Sequence, residues 1–298
     1  MLVASTERRF GDGAFRATFL IDRQVFVNVV SRSALTHDSR FVPRLSKPSA
    51  GVLLYLIHAG CLDVLESRAQ HRGPVALLLD EEQFEGSPTR SAMPFRSYGT
   101  PFEAVEIRFS REHLRFDPGP RPATFSVPAE IWDQVARVLA RADGDAGAQT
   151  VRDLFEQLAV AGFVAPDLAK AITTEDDHLS RVWRAVRPMA SAFDLLGSLE
   201  SLALGAGLSL RQVAREIEGF SSSMRAPFFG WRESLRRYRI KAAILGLSAE
   251  SLPIAEVARI AGYGSAEAMA RAFRDASLPS PSRVREEILL ATRERGSG

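Results

Sequence analysis

Two short amphipathic segments separated by a glycine-rich break, within residues 253–285, restrict the fold of this chain more than any other sequence feature. The apolar residues of the first segment recur at the spacing of one helix face: Ile254, Val257, Ala258 and Ala261. Pro253 suits the first turn of that helix, where its missing N–H costs nothing. Gly262-Tyr263-Gly264 then ends the pattern, because glycine tolerates the positive φ that a tight turn needs.

The second segment follows directly and has the pattern of another short helix. Ser265 is placed to cap it, since a serine hydroxyl accepts a hydrogen bond from a free N–H of the first turn. The predicted inward residues are Met269, Ala272 and Phe273, and the predicted outward residues are Ala266, Glu267, Ala270, Arg271 and Arg274. Two short helices joined by a glycine turn are typical of a helix-turn-helix, whose second helix fits the major groove of DNA.

A similar pattern lies upstream, within residues 208–229. The predicted inward residues there are Leu210, Val213, Ala214 and Ile217, followed by a predicted turn at Gly219-Phe220 and a predicted cap at Ser221. The helix after this cap supplies three further candidate DNA contacts, Ser222, Ser223 and Arg225. Residues 235–247 form a predicted basic helix that joins the two units, and its candidate DNA contacts are Arg236, Arg237, Arg239 and Lys241.

Charge is distributed unevenly along the chain. Residues 207–298 hold 15 Lys and Arg against 10 Asp and Glu, a net charge of +5, whereas residues 1–206 have a net charge of −3. The basic excess is concentrated in residues 225–241, which contain six basic residues and one acid, Glu233. A basic helical module attached to a mildly acidic remainder indicates a polyanion-binding region, although such a run is also common on a solvated face.

The rest of the chain divides into a β-rich part and a helical part. Residues 10–116 contain short apolar segments punctuated by turn residues, which predicts an antiparallel sandwich or barrel. The proline-rich tract 116–128 is the predicted boundary, and helical spacing follows it, including an amphipathic stretch at 179–193. We therefore predict an α+β chain with a β-rich regulatory domain at 1–120, a helical linker at 121–206 and an all-α tandem helix-turn-helix domain at 207–298. Packing within the chain and dimerisation both remain open for the linker helices.

Residues 208–290 resemble the DNA-binding region of AraC/XylS-type transcription regulators. The matching residues of the second unit are Ile254, Ala258, Gly262, Tyr263, Ser265, Arg271, Phe273, Arg274, Ser280, Pro281 and Arg285. The connecting-helix signature RxxxA is present as Arg239 and Ala243. The resemblance implies two helix-turn-helix units held about one DNA turn apart and a cupin-like N-terminal domain for effector binding or dimerisation.

The sequence also departs from the family pattern. Leu278 stands where the family usually has glycine, Ala268 where an aromatic residue is common, and Glu267 where a serine is usual. An acid beside DNA is repulsive unless it accepts from a cytosine amine. In the first unit, Pro227 is expected to end the recognition helix early.

The predicted function is a cytoplasmic, sequence-specific regulator that binds double-stranded promoter DNA. Arg271 is expected to read a guanine through a bidentate contact, while the arginines and the lysine of the connecting helix, with Arg274, bind phosphates. The resemblance further implies that a small-molecule effector could bind in the N-terminal domain, at residues that the sequence does not identify. A homodimer could form, and an activator would contact RNA polymerase. The alternative is a ligand-binding or protein-interaction module whose helix-turn-helix units no longer bind DNA.

Enzymatic functions find little support in the sequence. The five histidines have no metal-binding spacing, and no Gly-rich phosphate loop or nucleophile motif is present, so we expect no metal and no cofactor. A cupin-type oxygenase would need the missing pair of histidines. A DNA-repair alkyltransferase would need a reactive cysteine, and the single cysteine, Cys61, has no basic neighbour in sequence to lower its pKa. No apolar run is long enough to cross a membrane.

Overall fold

A computed structural model describes residues 2–43, 51–65, 68–80, 94–117, 119, 122–142, 144–172, 183, 187, 199–223 and 231–296. The chain is α+β, as predicted: an antiparallel sheet is followed by helices. Of the amphipathic stretch predicted at 179–193, only positions 183 and 187 lie among the described residues.

The described strands form one antiparallel sheet. The strands are β1 (Leu2–Phe10), β2 (Gly13–Ile21), β3 (Val25–Ser33), β4 (His37–Asp38), β5 (Gly51–Val64), β6 (Ala69–Arg72), β7 (Val75–Asp80), β8 (Phe95–Ser110) and β9 (Ala123–Phe125). Their order is β1-β2-β3-β8-β5-β7-β9, with β4 paired to β8 and β6 paired to β5. The sheet begins eight residues before the predicted β region, and the proline-rich boundary tract contributes β9.

Two glycines of the β-rich part, Gly60 and Gly99, lie inside long strands and not in turns between strands. Gly60, with φ of +90°, sits where the pairing of β5 with β8 shifts register. Gly99, with φ of +146°, lies opposite in β8, and a Cβ on Gly99 would stand 2.8 Å from the Cα of Gly60. Each glycine permits a bulge or bend at a point where the two backbones approach closely, so the strands continue past them.

Three helices cover one face of the sheet: α1 (Ala129–Arg141), α2 (Gly144–Val160) and α3 (Pro166–Ala171). Their apolar faces, including Val135, Leu154 and Leu168, share a core with strand residues such as Leu54 and Ile107. The apolar residues that recur at helical spacing within 131–139 and 151–158 therefore face a core. Of the two readings left open for these helices, packing within the chain accounts for their buried faces.

The remaining helices pack on the opposite face. They are α4 (Leu199–Ala206), α5 (Leu210–Ser223), α6 (Trp231–Leu247), α7 (Ile254–Ile260), α8 (Ala266–Asp275) and α9 (Pro281–Gly296). Phe19 and Phe26 of the sheet belong to the same apolar core as Ile244 of α6 and Phe273 of α8. Gly246 of α6 lies so close to the sheet that an added Cβ would stand 2.5 Å from Phe10 Cδ1. In the described part of the chain, no helix is long and apolar enough to cross a membrane.

Candidate nucleic-acid interface

Helices α7 and α8 form the helix-turn-helix that the sequence predicts. Pro253 stands at the N-cap of α7, one position before its first helical residue, and Val257, Ala258 and Ala261 are buried. Gly262 has φ of +84°, and the next amide, that of Tyr263, donates to the Ala258 carbonyl at 2.9 Å. The positive φ and this bond close the turn, so the chain enters α8 at an angle to α7.

Ser265 caps α8 as predicted. Its backbone is extended, with φ of −160°, and its hydroxyl accepts from the amide of Ala268 at 3.2 Å. The Ser265 side chain also hydrogen-bonds Glu267 and thereby lowers the pKa of that carboxyl. The start of α8 is therefore fixed by local contacts, and Glu267 is ionised at neutral pH.

The two faces of α8 differ sharply. Met269 and Phe273 are fully buried, as predicted. Glu267, Arg271 and Arg274 are exposed on the other side, with Ala266 and Ala270 partly buried among them. Among the described residues, no carboxylate lies within ion-pair distance of Arg271 or Arg274, although the charge of Arg271 contributes to the lowered pKa of Glu267. Both guanidinium groups are free to meet an external acceptor.

The basic residues of α6 have different surroundings. Arg236 and Arg237 both donate to Glu233, at 3.0 Å and 2.5 Å, and the hydrogen bonds to Glu233 raise the pKa of Arg236. Arg239 lies near Tyr263. Burial raises the pKa of Tyr263 to about 12, and the positive charge of Arg239 opposes this rise. Arg236 and Arg239 thus lie beside the turn of the α7–α8 unit.

Lys241 is placed differently from the prediction. Its side chain is partly buried on the side of α6 that packs on the sheet. Burial lowers the pKa of Lys241 to about 8; the charge of Glu106 opposes this shift, and the charges of Arg108 and Arg32 add to it. These three residues belong to the sheet, so the ammonium group faces the protein interior. Sequence periodicity did not separate Lys241 from the other basic residues of α6, because charged and apolar residues are mixed along this helix.

The first predicted unit is wrong in its details. No turn occurs at Gly219-Phe220, since α5 runs without interruption from Leu210 to Ser223, and Ser221 is therefore not a cap. Leu210 and Ala214 are exposed, whereas Val213, Ile217 and Phe220 are buried. The side chains of Ser222 and Ser223, and the whole of Arg225, lie outside the described residues.

A different turn connects α5 to the helix before it. Gly207 follows α4 with φ of +65°, and the amide of Leu208 donates to the Ala203 carbonyl at 2.9 Å. Ser209 then caps α5: the Gln212 amide donates to its hydroxyl at 3.3 Å, and its own amide donates to the Gln212 side chain at 2.9 Å. Residues 209–212 have the S-x-x-Q spacing of a capping box, which is typical of a helix start.

Comparisons with known proteins give structural similarity only at low identity. No protein-family model and no curated protein matches the sequence. ToxT from Vibrio cholerae is similar over 88% of this chain and 98% of its own, with 12% identity and a TM-score of 0.37. A ToxT structure with a bound unsaturated fatty acid gives 89% and 96%, with 12% identity and a TM-score of 0.35. The AraC-like transcriptional activator CuxR gives 80% and 85%, with 14% identity and a TM-score of 0.33. Scores of this size establish neither family nor function.

Proposed function

We propose that this protein is a sequence-specific regulator of transcription that binds double-stranded DNA through α8. The observation that carries the proposal is the exposed face of α8, where Arg271 projects without an ion pair in the described structure while Met269 and Phe273 anchor the helix from behind. A helix held in this way by a preceding helix and a glycine turn can enter the major groove.

Arg271 is the residue proposed to read a base. A guanidinium group donates two parallel hydrogen bonds to the O6 and N7 of guanine. Glu267 lies one turn before Arg271 on the same face and would accept from a cytosine amine at a neighbouring base pair. Ala266 and Ala270 are small enough to let the helix approach closely and to contact thymine methyl groups.

Phosphate contacts are proposed for Arg274, Arg236, Arg237 and Arg239. Arg274 is exposed and free of ion pairs in the described structure, so it can bind a phosphate without first breaking an ion pair there. Arg236 and Arg237 would have to share Glu233 with the DNA, which reduces their contribution. We leave Lys241 out of the interface because it faces the sheet, and Ser222, Ser223 and Arg225 remain candidates from sequence.

The regulatory part of the proposal names classes of partner and assigns no residues to them. The sequence resemblance to AraC/XylS-type regulators supports a small-molecule effector, a homodimer and, for an activator, contact with RNA polymerase. None of these is needed for the DNA contact itself.

The test compares DNA selection by the wild type, by Arg271→Ala and by Arg141→Ala. Arg141 is exposed at the end of α1, on the far side of the sheet, so its loss removes the same charge away from α8. Each protein is incubated with a pool of random duplexes, and the retained DNA is sequenced. We expect the wild type and Arg141→Ala to enrich one motif. Arg271→Ala should lose about 1–3 kcal/mol of binding free energy and its preference at one base pair.

Equal selection by Arg271→Ala and Arg141→Ala would reject the base-reading role. Absence of DNA retention by the wild type even at low salt would reject the regulator itself. That second result would favour the alternative of a protein-interaction module.

A further inference from the structure

The first two turns of α8 carry an acid on a surface that is otherwise basic or small. Within residues 266–272, Glu267 is the single acidic residue, and its side chain is exposed. Arg271 follows one helical turn later on the same side, and Ala266 and Ala270 beside them end at a methyl group. Because a DNA duplex carries one negative charge per about 1.7 Å of its length, an acid on a helix that enters its groove lowers affinity unless it makes a contact of its own.

Local contacts keep the Glu267 carboxylate charged and hold it at the start of the helix. The hydrogen bond with the Ser265 side chain lowers the pKa of Glu267 most, and the backbone amide of Glu267 and the charge of Arg271 lower it further. The Ser265 hydroxyl oxygen in turn accepts from the amide of Ala268 at 3.2 Å. At neutral pH, Glu267 is therefore an acceptor that has no proton to donate.

The four bases present different groups to such an acceptor in the major groove. Guanine presents two acceptors, N7 and O6, and thymine presents the acceptor O4 beside a methyl group. Adenine presents a donor next to the acceptor N7, whereas the polar group of cytosine is the N4 amine alone. Since a carboxylate is repelled by acceptors and binds amines, it favours cytosine and disfavours guanine and thymine most.

The position of Glu267 relative to Arg271 sets which base pairs the two side chains can reach. Four residues advance about 6 Å along a helix axis, and neighbouring base pairs are about 3.4 Å apart. Both residues belong to one helix, which the fully buried Met269 and Phe273 anchor from behind, so their spacing along the groove is fixed. A cytosine bound by Glu267 would therefore lie one or two base pairs from a guanine bound by Arg271.

We propose that Glu267 discriminates between DNA sequences: it selects a cytosine one or two base pairs from the guanine read by Arg271, and it weakens binding to DNA without that cytosine. The inference rests on the proposed function, which assigns α8 to the major groove, and it adds which sequences the protein rejects. Arg271 attracts every duplex through its charge, whereas Glu267 repels every duplex that does not offer it an amine. An acid and a base together thus separate correct from incorrect sites better than two cations would.

The test compares DNA selection by the wild type, by Glu267→Gln and by Glu156→Gln. Glutamine has the shape of glutamate without its charge, and its carboxamide both donates and accepts, which suits the N6 and N7 of adenine. Glu156 is an exposed acid of α2, on the far side of the sheet, so its replacement is the matched control for the lost charge. From a pool of random duplexes, the wild type and Glu156→Gln should enrich a motif with cytosine. Glu267→Gln should enrich the same motif with adenine in place of that cytosine.

Affinities measured by fluorescence anisotropy provide a second readout. For the wild type, replacing the selected cytosine by guanine or thymine should weaken binding about 10- to 100-fold. For a duplex without the motif, Glu267→Gln should bind about fivefold more tightly than the wild type at low salt, and this gain should shrink as added salt screens the charge. Glu156→Gln should behave as the wild type in both measurements.

Two outcomes would overturn the role of Glu267 while DNA binding stands. One is a wild-type motif without a cytosine one or two base pairs from the position at which Arg271→Ala loses its preference. The other is equal selection and equal affinity of Glu267→Gln and Glu156→Gln. The first is measured on the wild type and Arg271→Ala, so it does not depend on the folding of Glu267→Gln. If none of the proteins retains DNA at low salt, the proposed function itself fails, and this inference fails with it.

Discussion

At the scale of single residues, Arg271 and Lys241 have the same charge but opposite surroundings. Arg271 projects from α8 into solvent without an ion pair in the described structure, whereas Lys241 lies beneath α6 among the charges of the sheet. The sequence predicts both as DNA contacts: Arg271 lies on the outward face of the second helix of the predicted helix-turn-helix, and Lys241 lies in the basic connecting helix. Burial and partners, which the sequence does not display, separate a side chain that can meet DNA from one that cannot.

The buried position of Lys241 predicts a pH dependence of stability. Its pKa is about 8 in the folded chain and about 10.4 in the unfolded chain, so the unfolded state holds more protons between these values. Stability therefore rises with pH in that window. We expect the free energy of unfolding of the wild type to gain about 1–2 kcal/mol relative to Lys241→Met between pH 7.5 and 9.5.

Urea unfolding of the wild type and of Lys241→Met across this pH range measures the difference between their free energies of unfolding. Titratable groups that both proteins contain cancel from that difference. The groups that face Lys241 and would otherwise contribute are Glu106, Arg108 and Arg32. A wild-type minus variant difference that stays flat with pH would contradict the burial of the ammonium group.

Ser265 offers a further prediction at this scale. Replacing it by alanine removes the acceptor of the Ala268 amide and should cost about 1 kcal/mol of stability. Ser265→Asp should recover most of this loss, because aspartate also caps helices well. Urea unfolding of the two variants provides the measurement, and equal stabilities would show that the hydroxyl does not cap α8.

At the scale of elements, the second helix-turn-helix was predictable and the first was not. In α7 and α8, spacing, glycine turn and serine cap all agree within a few residues, so local interactions suffice to define the unit. In α5, the glycine at 219 and the serines after it suggested a turn, yet Val213, Ile217 and Phe220 form one buried stripe of a continuous helix. Packing against Trp183, whose ring stacks on Phe220 at 5.8 Å, favours the continuous helix over the local turn signal.

Two glycines, one inside α5 and one in the turn before it, provide a matched test of the continuous helix. Gly219 lies in the interior of α5, and a Cβ there would meet no atom within 4 Å. Gly219→Ala should therefore stabilise the protein by about 0.5–1 kcal/mol. Gly207 has equal space but a φ of +65°, so Gly207→Ala should destabilise it by about 1 kcal/mol.

Chemical denaturation of the two variants decides between the arrangements. If Gly219→Ala destabilised the chain instead, α5 would break where the sequence pattern suggested. If Gly207→Ala were neutral, the turn between α4 and α5 would not need its left-handed residue.

At the scale of the whole molecule, α6 connects the sheet to the helix-turn-helix. The amide of Thr36, next to β4, donates to the hydroxyl of Ser248, directly after α6, at 2.9 Å. Nη1 of Arg40 lies 3.6 Å from Oε2 of Glu287 in α9. Residues of β1–β3 and of α6–α9 also share one apolar core. The sheet and the helices α6–α9 are therefore joined by direct packing. The boundaries at 120 and 206 remain predictions.

Gly246 tests this packing. A methyl group there would stand 2.5 Å from Phe10 Cδ1 and 2.9 Å from Val257 Cγ1, so the sheet and α6 would have to separate. Gly246→Ala should cost about 1–3 kcal/mol of stability. Gly205→Ala in α4, where a Cβ meets nothing within 4 Å, is the control and should not destabilise the chain. Similar stabilities for both variants in thermal unfolding would contradict the close contact of α6 with the sheet.

The sequence by itself determined the features that depend on neighbours along the chain. These are the antiparallel β character, the helices α7 and α8, their turn at Gly262 and the cap at Ser265. The tertiary structure decided what depends on residues far away: the passage of β5 and β8 through Gly60 and Gly99, the continuity of α5 and the burial of Lys241. Periodicity records which face of an element is apolar, but it cannot record which element covers that face or what charges that element brings. For this reason α8 could be recognised from sequence, and the buried charge cluster beneath α6 could not.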